Sequence, residues 1–260
     1  MFYRKRRYQR KPVKGKKRVA RKGAKRVAVS KAVKTYVKAQ IHRQVENKVI
    51  TDYQINQTIV TANSVTAPYY VPLTPMIAQG VASNGRIGNV VTVVKGWIKG
   101  YVNLLPYNVT TNPTLPLRVK LWLCSERSSN AAATLNQLPG VSDFFQNVNG
   151  LNGNFQGNML DILRSPNTDN WIIHATKTME LGLTAQYGTF GGYADNSKFQ
   201  LPYFFNFKKH LGKCKFDDGS NYITNRNLFL IIQCVAADGS LAAYQSAENH
   251  YTIRWEYEDA

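Results

Sequence analysis

The sequence predicts an all-β protein: one antiparallel β sandwich of about 220 residues behind a basic N-terminal arm. Three observations point there. From residue 48 onward apolar residues recur with a period of two, and Gly- and Asn-rich stretches separate the segments that show it. No helical period falls between those segments, so there is no βαβ unit. Charge supplies the arm: 17 of the 34 Lys and Arg lie between Met1 and Lys38, where there is no Asp or Glu, leaving 17 basic against 15 acidic residues elsewhere.

Residues 1–26, MFYRKRRYQRKPVKGKKRVARKGAKR, form a low-complexity basic tail with little to bury, and are expected to be disordered when free. Over residues 27–47, Val29, Val33, Val37, Ile41 and Val45 recur every four residues, which lines one face of a helix. Ser30 can cap it. Such a helix either docks on the following domain or orders on nucleic acid; the stripe does not distinguish these. The organisation expected is an arm over 1–47 and a β domain over 48–260.

Strands are then expected over 48–62, over Arg86–Leu104, and over Leu115–Cys124, where Leu115, Leu117, Val119, Leu121 and Leu123 alternate with more polar neighbours. In the second, Gly88, Gly96 and Gly100 read as places for bulges or bends. A polar loop over 126–158 holds a short strand near Val141–Val148. Trp171–Leu183 follows, then Phe199–Phe207 with the basic strand end KKHLGKCK. Asn227–Val235, NLFLIIQCV, is a continuous apolar run, as expected for a strand covered on both faces. Tyr251, Ile253, Trp255 and Tyr257 mark the last strand. Eight antiparallel strands in two sheets is the jelly-roll count, although the count alone also fits other sandwiches. Composition agrees: 15 Tyr, 11 Phe and 4 Trp suit strands, and a domain this size needs neither disulfide nor metal for stability.

The order of these features carries a resemblance. A basic arm runs into VKAQIHRQVENK (Val37–Lys48); RIGN (Arg86–Asn89) leads to WIKGYV; LPLRVKLWLC precedes a long polar loop; LDILRSPNTDNWIIHATKTMEL (Leu160–Leu181), the Lys-rich segment Lys198–Lys215 and NRNLFLIIQCVAADG complete it. Together they resemble the single-jelly-roll capsid proteins of small circular single-stranded DNA viruses, which are also similar to satellite RNA virus coat proteins. The resemblance spans essentially the whole chain. It implies an eight-stranded jelly roll, assembly of sixty copies into a small icosahedral (T=1) shell with arms inward, no enzymatic activity, and a location in the virion, with assembly in the host nucleus. It also implies a single-stranded DNA genome, a choice the residues themselves do not make, since phosphate binding ignores the sugar.

The candidate nucleic-acid-binding residues are those of the arm: Arg4, Lys5, Arg6, Arg7, Arg10, Lys11, Lys14, Lys16, Lys17, Arg18, Arg21, Lys22, Lys25, Arg26, Lys31, Lys34 and Lys38. Each Lys or Arg that meets a phosphate releases condensed counterions, which gives strong, salt-sensitive and sequence-independent binding. Sixty such arms would bring on the order of a thousand positive charges, comparable to a small genome. Phe2, Tyr3 and Tyr8 can stack on unpaired bases. The clusters Arg4–Arg7 and Lys16–Arg18 also fit a nuclear import signal, which adds an import receptor as a candidate partner. Lys208, Lys209, Lys213 and Lys215 either extend a basic surface or protect a solvated strand edge.

Little suggests catalysis. Cys124, Cys214 and Cys234 lack disulfide or zinc spacing and read as small buried residues. His42, His174, His210 and His250 lack metal spacing. Asp217-Asp218-Gly219 suits a turn better than a calcium site. No nucleophile elbow, Walker loop or zinc-protease motif occurs. No catalytic residue, metal or cofactor is expected, and neither is membrane insertion or a secretory signal. The competing readings are a non-viral nucleic-acid-binding β module, which would need base-stacking aromatics along a basic groove of the β domain, and a cupin-like enzyme, which would need clustered metal ligands.

Overall fold

The computed structural model describes residues 30–44, 47–60, 69–106, 110, 116–127, 144–146, 152–182, 199–237, 239 and 245–259. The chain divides into two units, Met1–Gln44 and Val45–Ala260, a division just before the boundary expected at 47/48.

In the first unit, α1 spans Lys31–Gln44. Ser30 caps it, its Oγ accepting from the Val33 backbone N–H at 3.3 Å. Val33 and Val37 of the apolar stripe are exposed, as is Tyr36.

The second unit is all-β, with every strand pairing antiparallel. Its long strands are β1 (Lys48–Val60), β2 (Tyr69–Pro72), β3 (Val90–Leu104), β4 (Leu117–Glu126), β7 (Trp171–Leu181), β8 (Gln200–Asn206), β10 (Phe229–Ala236) and β11 (Gln245–Asp259). Between them lie three short strands, β5 (Phe145–Gln146), β6 (Asn152–Gly153) and β9 (Lys213–Lys215), and two single-turn helices, α2 (Met159–Leu163) and α3 (Lys208–Leu211). One sheet runs β1-β11-β3-β8, with β9 added beside the start of β3; the other runs β2-β10-β4-β7. Numbering the long strands one to eight in chain order, the sheets read 1-8-3-6 and 2-7-4-5. That is a jelly roll, in which the chain crosses repeatedly between two facing sheets.

The expected eight strands are not quite the observed eight. Of the short strand expected near Val141–Val148, the described residues are 144–146, where β5 pairs with β6 and Phe145 also bridges Pro166. The eighth long strand is instead β2, four residues with no alternation to betray them and a Pro at the end. It forms because its backbone completes the edge of β10, Val71 pairing with Leu230. The segment KKHLGKCK is not a strand end but the turn of α3 followed by β9.

Alternation fills the space between the sheets. Ile253, Trp255 and Tyr257 from β11 meet Leu121 and Leu123 from β4 and Leu230 and Ile232 from β10, all buried. Each such side chain contributes about 1.5–3 kcal/mol by leaving water. The glycines of β3 are not bulges: pairing with β11 runs unshifted through Gly96 and Gly100. They make room instead, since a Cβ at Gly96 would strike the Phe207 ring and one at Gly100 the Tyr203 ring and the His250 carbonyl.

A second apolar cluster covers the other face of β10 and β4. Phe144, Phe145, Phe155 and Trp171 close over Trp122, Phe229 and Ile231, mostly edge to face. This is why all eight residues of β10 are buried. The cover is pinned by Asp161 of α2, whose buried carboxylate accepts from the Gln156 and Gly157 backbone N–H groups at 2.6 and 2.7 Å and from Gln233 Nε2 of β10 at 2.8 Å.

Candidate functional site

Of the arm residues singled out in the sequence, Arg4 to Arg26 lie outside the described residues. Lys31, Lys34 and Lys38 lie on α1, three and four residues apart, so they share one side of the helix. Lys31 and Lys34 are exposed.

In the β unit, a second concentration of chemistry lies on the outward face of the five-stranded sheet. Residues opposite one another in an antiparallel pair share a face, so the register builds it row by row. Thr51, Arg254, Trp97 and Asn206 form one row; Tyr53, Thr252, Lys99 and Phe204 the next; His250, Tyr101 and Pro202 the third. Beyond Lys95, β9 adds Lys213 opposite Thr92 and Lys215 opposite Val90. Cys214 between them is buried, which turns both lysines outward.

The face is aromatic and basic together. Tyr53 is 70% exposed and Phe204 59%. The Tyr101 and His250 rings stack with centroids 4.8 Å apart, and Trp97 lies 6.4 Å from Phe204. Lys99 Nζ sits 5.2 Å over the Trp97 ring and makes no ion pair among the described residues. Carboxylates are present but engaged: Glu256 holds Lys95 at 2.7 Å and Arg254 at 2.9 Å, and its hydrogen bond to Lys95 keeps its carboxyl below the usual range. Glu248 lies 3.6 Å from His250 Nε2, while His250 Nδ1 accepts from the Asn56 backbone N–H at 3.2 Å. Beneath the face, Tyr203 of β8 donates to Asn249 Oδ1 at 2.9 Å in the core, and burial raises its phenol.

Sequence reasoning missed this face because its parts come from four distant strands. One signal was present: Phe204 occupies a position that alternation assigns to the polar side of its strand, and Trp97 and Tyr101 do the same in β3. Lys213 and Lys215 lie on this side of the sheet and on its edge strand β9, in keeping with both readings of them, and Lys208 and Lys209 are exposed on α3.

Other polar groups have structural partners. Ser125 Oγ donates to the Asn227 carbonyl at 2.8 Å, so His174 Nε2, 2.9 Å away, is its donor and not its base. Cys124, Cys214 and Cys234 are free and buried, and burial pushes the Cys214 and Cys234 thiols up to about 12. Asp217 and Asp218 form the turn expected: the Asp217 carbonyl accepts from Arg86 at 3.0 Å, and Asp218 accepts from Asn89 Nδ2. Among the described residues no group of three or more His, Cys, Asp or Glu could hold a metal ion, and no helix is long and apolar enough to cross a membrane.

No protein-family model matches the chain, and no curated protein matches it. Among solved structures, one described as "KBV activated particle at acidic pH" aligns over 81% of this chain and 69% of its own, at 12% identity and a TM-score of 0.25. A likeness that slight carries no argument about fold or function.

Proposed function

We propose that the chain is the coat protein of a small virus, a non-enzymatic protein that assembles with copies of itself into a closed icosahedral shell and packages a nucleic-acid genome. The observation that carries this reading is the union of an acid-free arm of 17 basic residues with a jelly-roll sandwich. Neither half would suffice, since jelly rolls serve many functions and basic tails occur on many proteins. Joined, they divide the labour. Patches between sandwiches set the geometry of the shell, while the arms neutralise a polyanion of no fixed sequence and lose their mutual repulsion as they do so. The resemblance noted in the sequence supports a single-stranded DNA genome and about sixty copies, and the basic clusters Arg4–Arg7 and Lys16–Arg18 support nuclear import through the arm.

A second reading is favoured by the aromatic and basic sheet face: a non-viral module that binds single strands without assembling. Size-exclusion chromatography and negative-stain microscopy of recombinant protein, with the 260/280 nm absorbance ratio, separate the two. Closed particles with a nucleic-acid-like ratio are expected. A monomer that stays a monomer with added oligonucleotide would overturn the coat-protein reading.

A further inference from the structure

We propose that the outward face of the five-stranded sheet is a stacking platform for unpaired bases of single-stranded nucleic acid. This rests on the packaging reading for the identity of the polyanion, and extends binding from the arm to the shell domain.

The argument begins with what the face should look like if nothing covered it. An antiparallel sheet with one side in water alternates apolar inward and polar outward. Here the outward positions of β1, β3 and β8 hold Tyr53, Trp97, Tyr101 and Phe204, with Tyr53 and Phe204 more than half exposed. Exposed rings clustered on adjacent strands mark a binding surface.

Composition then selects the occupant. Centres of protein–protein interfaces are depleted of lysine, yet Lys99 stands in the middle row, between Thr252 and Phe204 and over Trp97. Lys213 and Lys215 extend the same face. A lysine among rings suits a ligand that presents flat apolar surfaces and negative charge in alternation, as a single strand presents bases and phosphates. Outward residues along one strand repeat about every 7 Å, so successive rows offer successive stacking positions. Every base has a π face, so binding would be indifferent to sequence, and a duplex, whose base faces are hidden, would be excluded. Glu256 and Glu248 do not oppose this strongly, because each already lies against a cation or the His250 ring of the face.

The molecule contains its own reporter. Of the four tryptophans, Trp122, Trp171 and Trp255 are buried, and Trp97 alone lies on this face. The experiment titrates full-length protein with oligothymidylate and, separately, with a duplex, following tryptophan emission at low and high salt. High salt removes the arm's electrostatic contribution and leaves stacking. The expected result is quenching by oligothymidylate that persists at high salt, with no comparable effect of duplex. Affinity at high salt should fall about tenfold for each ring removed in Tyr101→Ala and Phe204→Ala. Unaltered thermal melting of the variants would show them folded, and the comparison of single strand with duplex needs no variant. Equal quenching by duplex, or variants that bind as the wild type does, would overturn the proposal. So would variants that lose particles by negative stain yet keep their affinity, since the face would then be a subunit contact. Stacking in a protein that forms no particles would support this proposal while removing the packaging reading.

Discussion

The His174 and His210 rings stack 3.8 Å apart at an interplanar angle of 29°, joining β7 to α3. Burial first, then His210 and Lys209, lower His174 from the usual 6.5 to about 4. Burial, then Lys209, lowers His210 as well. His174 Nε2 also bonds the neutral Ser125 hydroxyl at 2.9 Å.

A pH dependence of stability follows from that pair. The unfolded chain takes up the proton near 6.5 and the folded one near 4, so the stability of the neutral pair is present above 6.5 and is lost as pH falls between those values. The melting temperature of wild-type protein should therefore drop as pH falls from 6.5 to 4. His174→Asn should flatten the dependence in that window. Identical slopes for the two proteins would show that the stacked pair does not titrate in it.

Arg86 is fully buried without a carboxylate partner among the described residues. Its guanidinium donates to the Gly88 carbonyl and Asn89 Oδ1 through Nη1, and to the Asp217 and Ser220 carbonyls through Nη2, while lying 4.6 Å from the centre of the Phe216 ring. A lysine cannot reproduce a planar fork serving four acceptors. Arg86→Lys should cost about 3 kcal/mol in urea denaturation, from acceptors left unpaired in the interior.

Gly100 tests the packing of β3. Its position faces the His250 carbonyl and the Tyr203 ring too closely for any Cβ, and the carbonyl belongs to backbone that cannot yield. Gly100→Ala should destabilise by about 2 kcal/mol or more, since inserted volume must displace the sheet. The same substitution at Gly219, where φ is +71° but a Cβ meets nothing, should cost less, about 1 kcal/mol from backbone strain alone. Differential scanning fluorimetry of both variants gives the ranking.

For the arm, removal of residues 1–38 should abolish nucleic-acid packaging and leave the β unit folded, as read by circular dichroism. In the intact chain, the logarithm of single-strand affinity should fall with the logarithm of salt at a slope approaching about −12 if all seventeen basic residues engage. A slope near zero would exclude phosphate contacts as the source of binding.

Much of this was written locally. Local pattern placed seven of the eight long strands, most clearly where period-two alternation marks a half-buried strand, as in β4, β8 and β11. The run NLFLIIQCV announced a strand covered on both faces, and the Phe144, Phe145 and Trp171 cluster is that cover. Ser30 announced the start of α1, since a cap needs only its own first turn. The separation of an acid-free arm from a nearly neutral domain needed no structure at all.

Other features depended on partners distant in the chain. β2 has no pattern of its own and exists because β10 offers it an edge. Gly96 and Gly100 looked like bends until Phe207 and Tyr203 were seen to pass over them. Above all, Tyr53, Lys99 and Phe204 share one row only because β1, β11, β3 and β8 are neighbours in a fixed register. The amino-acid sequence by itself determined which residues face in and which face out, for burial is decided strand by strand. Only the tertiary structure decided which outward residues stand together, because register is a property of pairs, and the pairs here join residues as far apart in the chain as Lys48 and Tyr257.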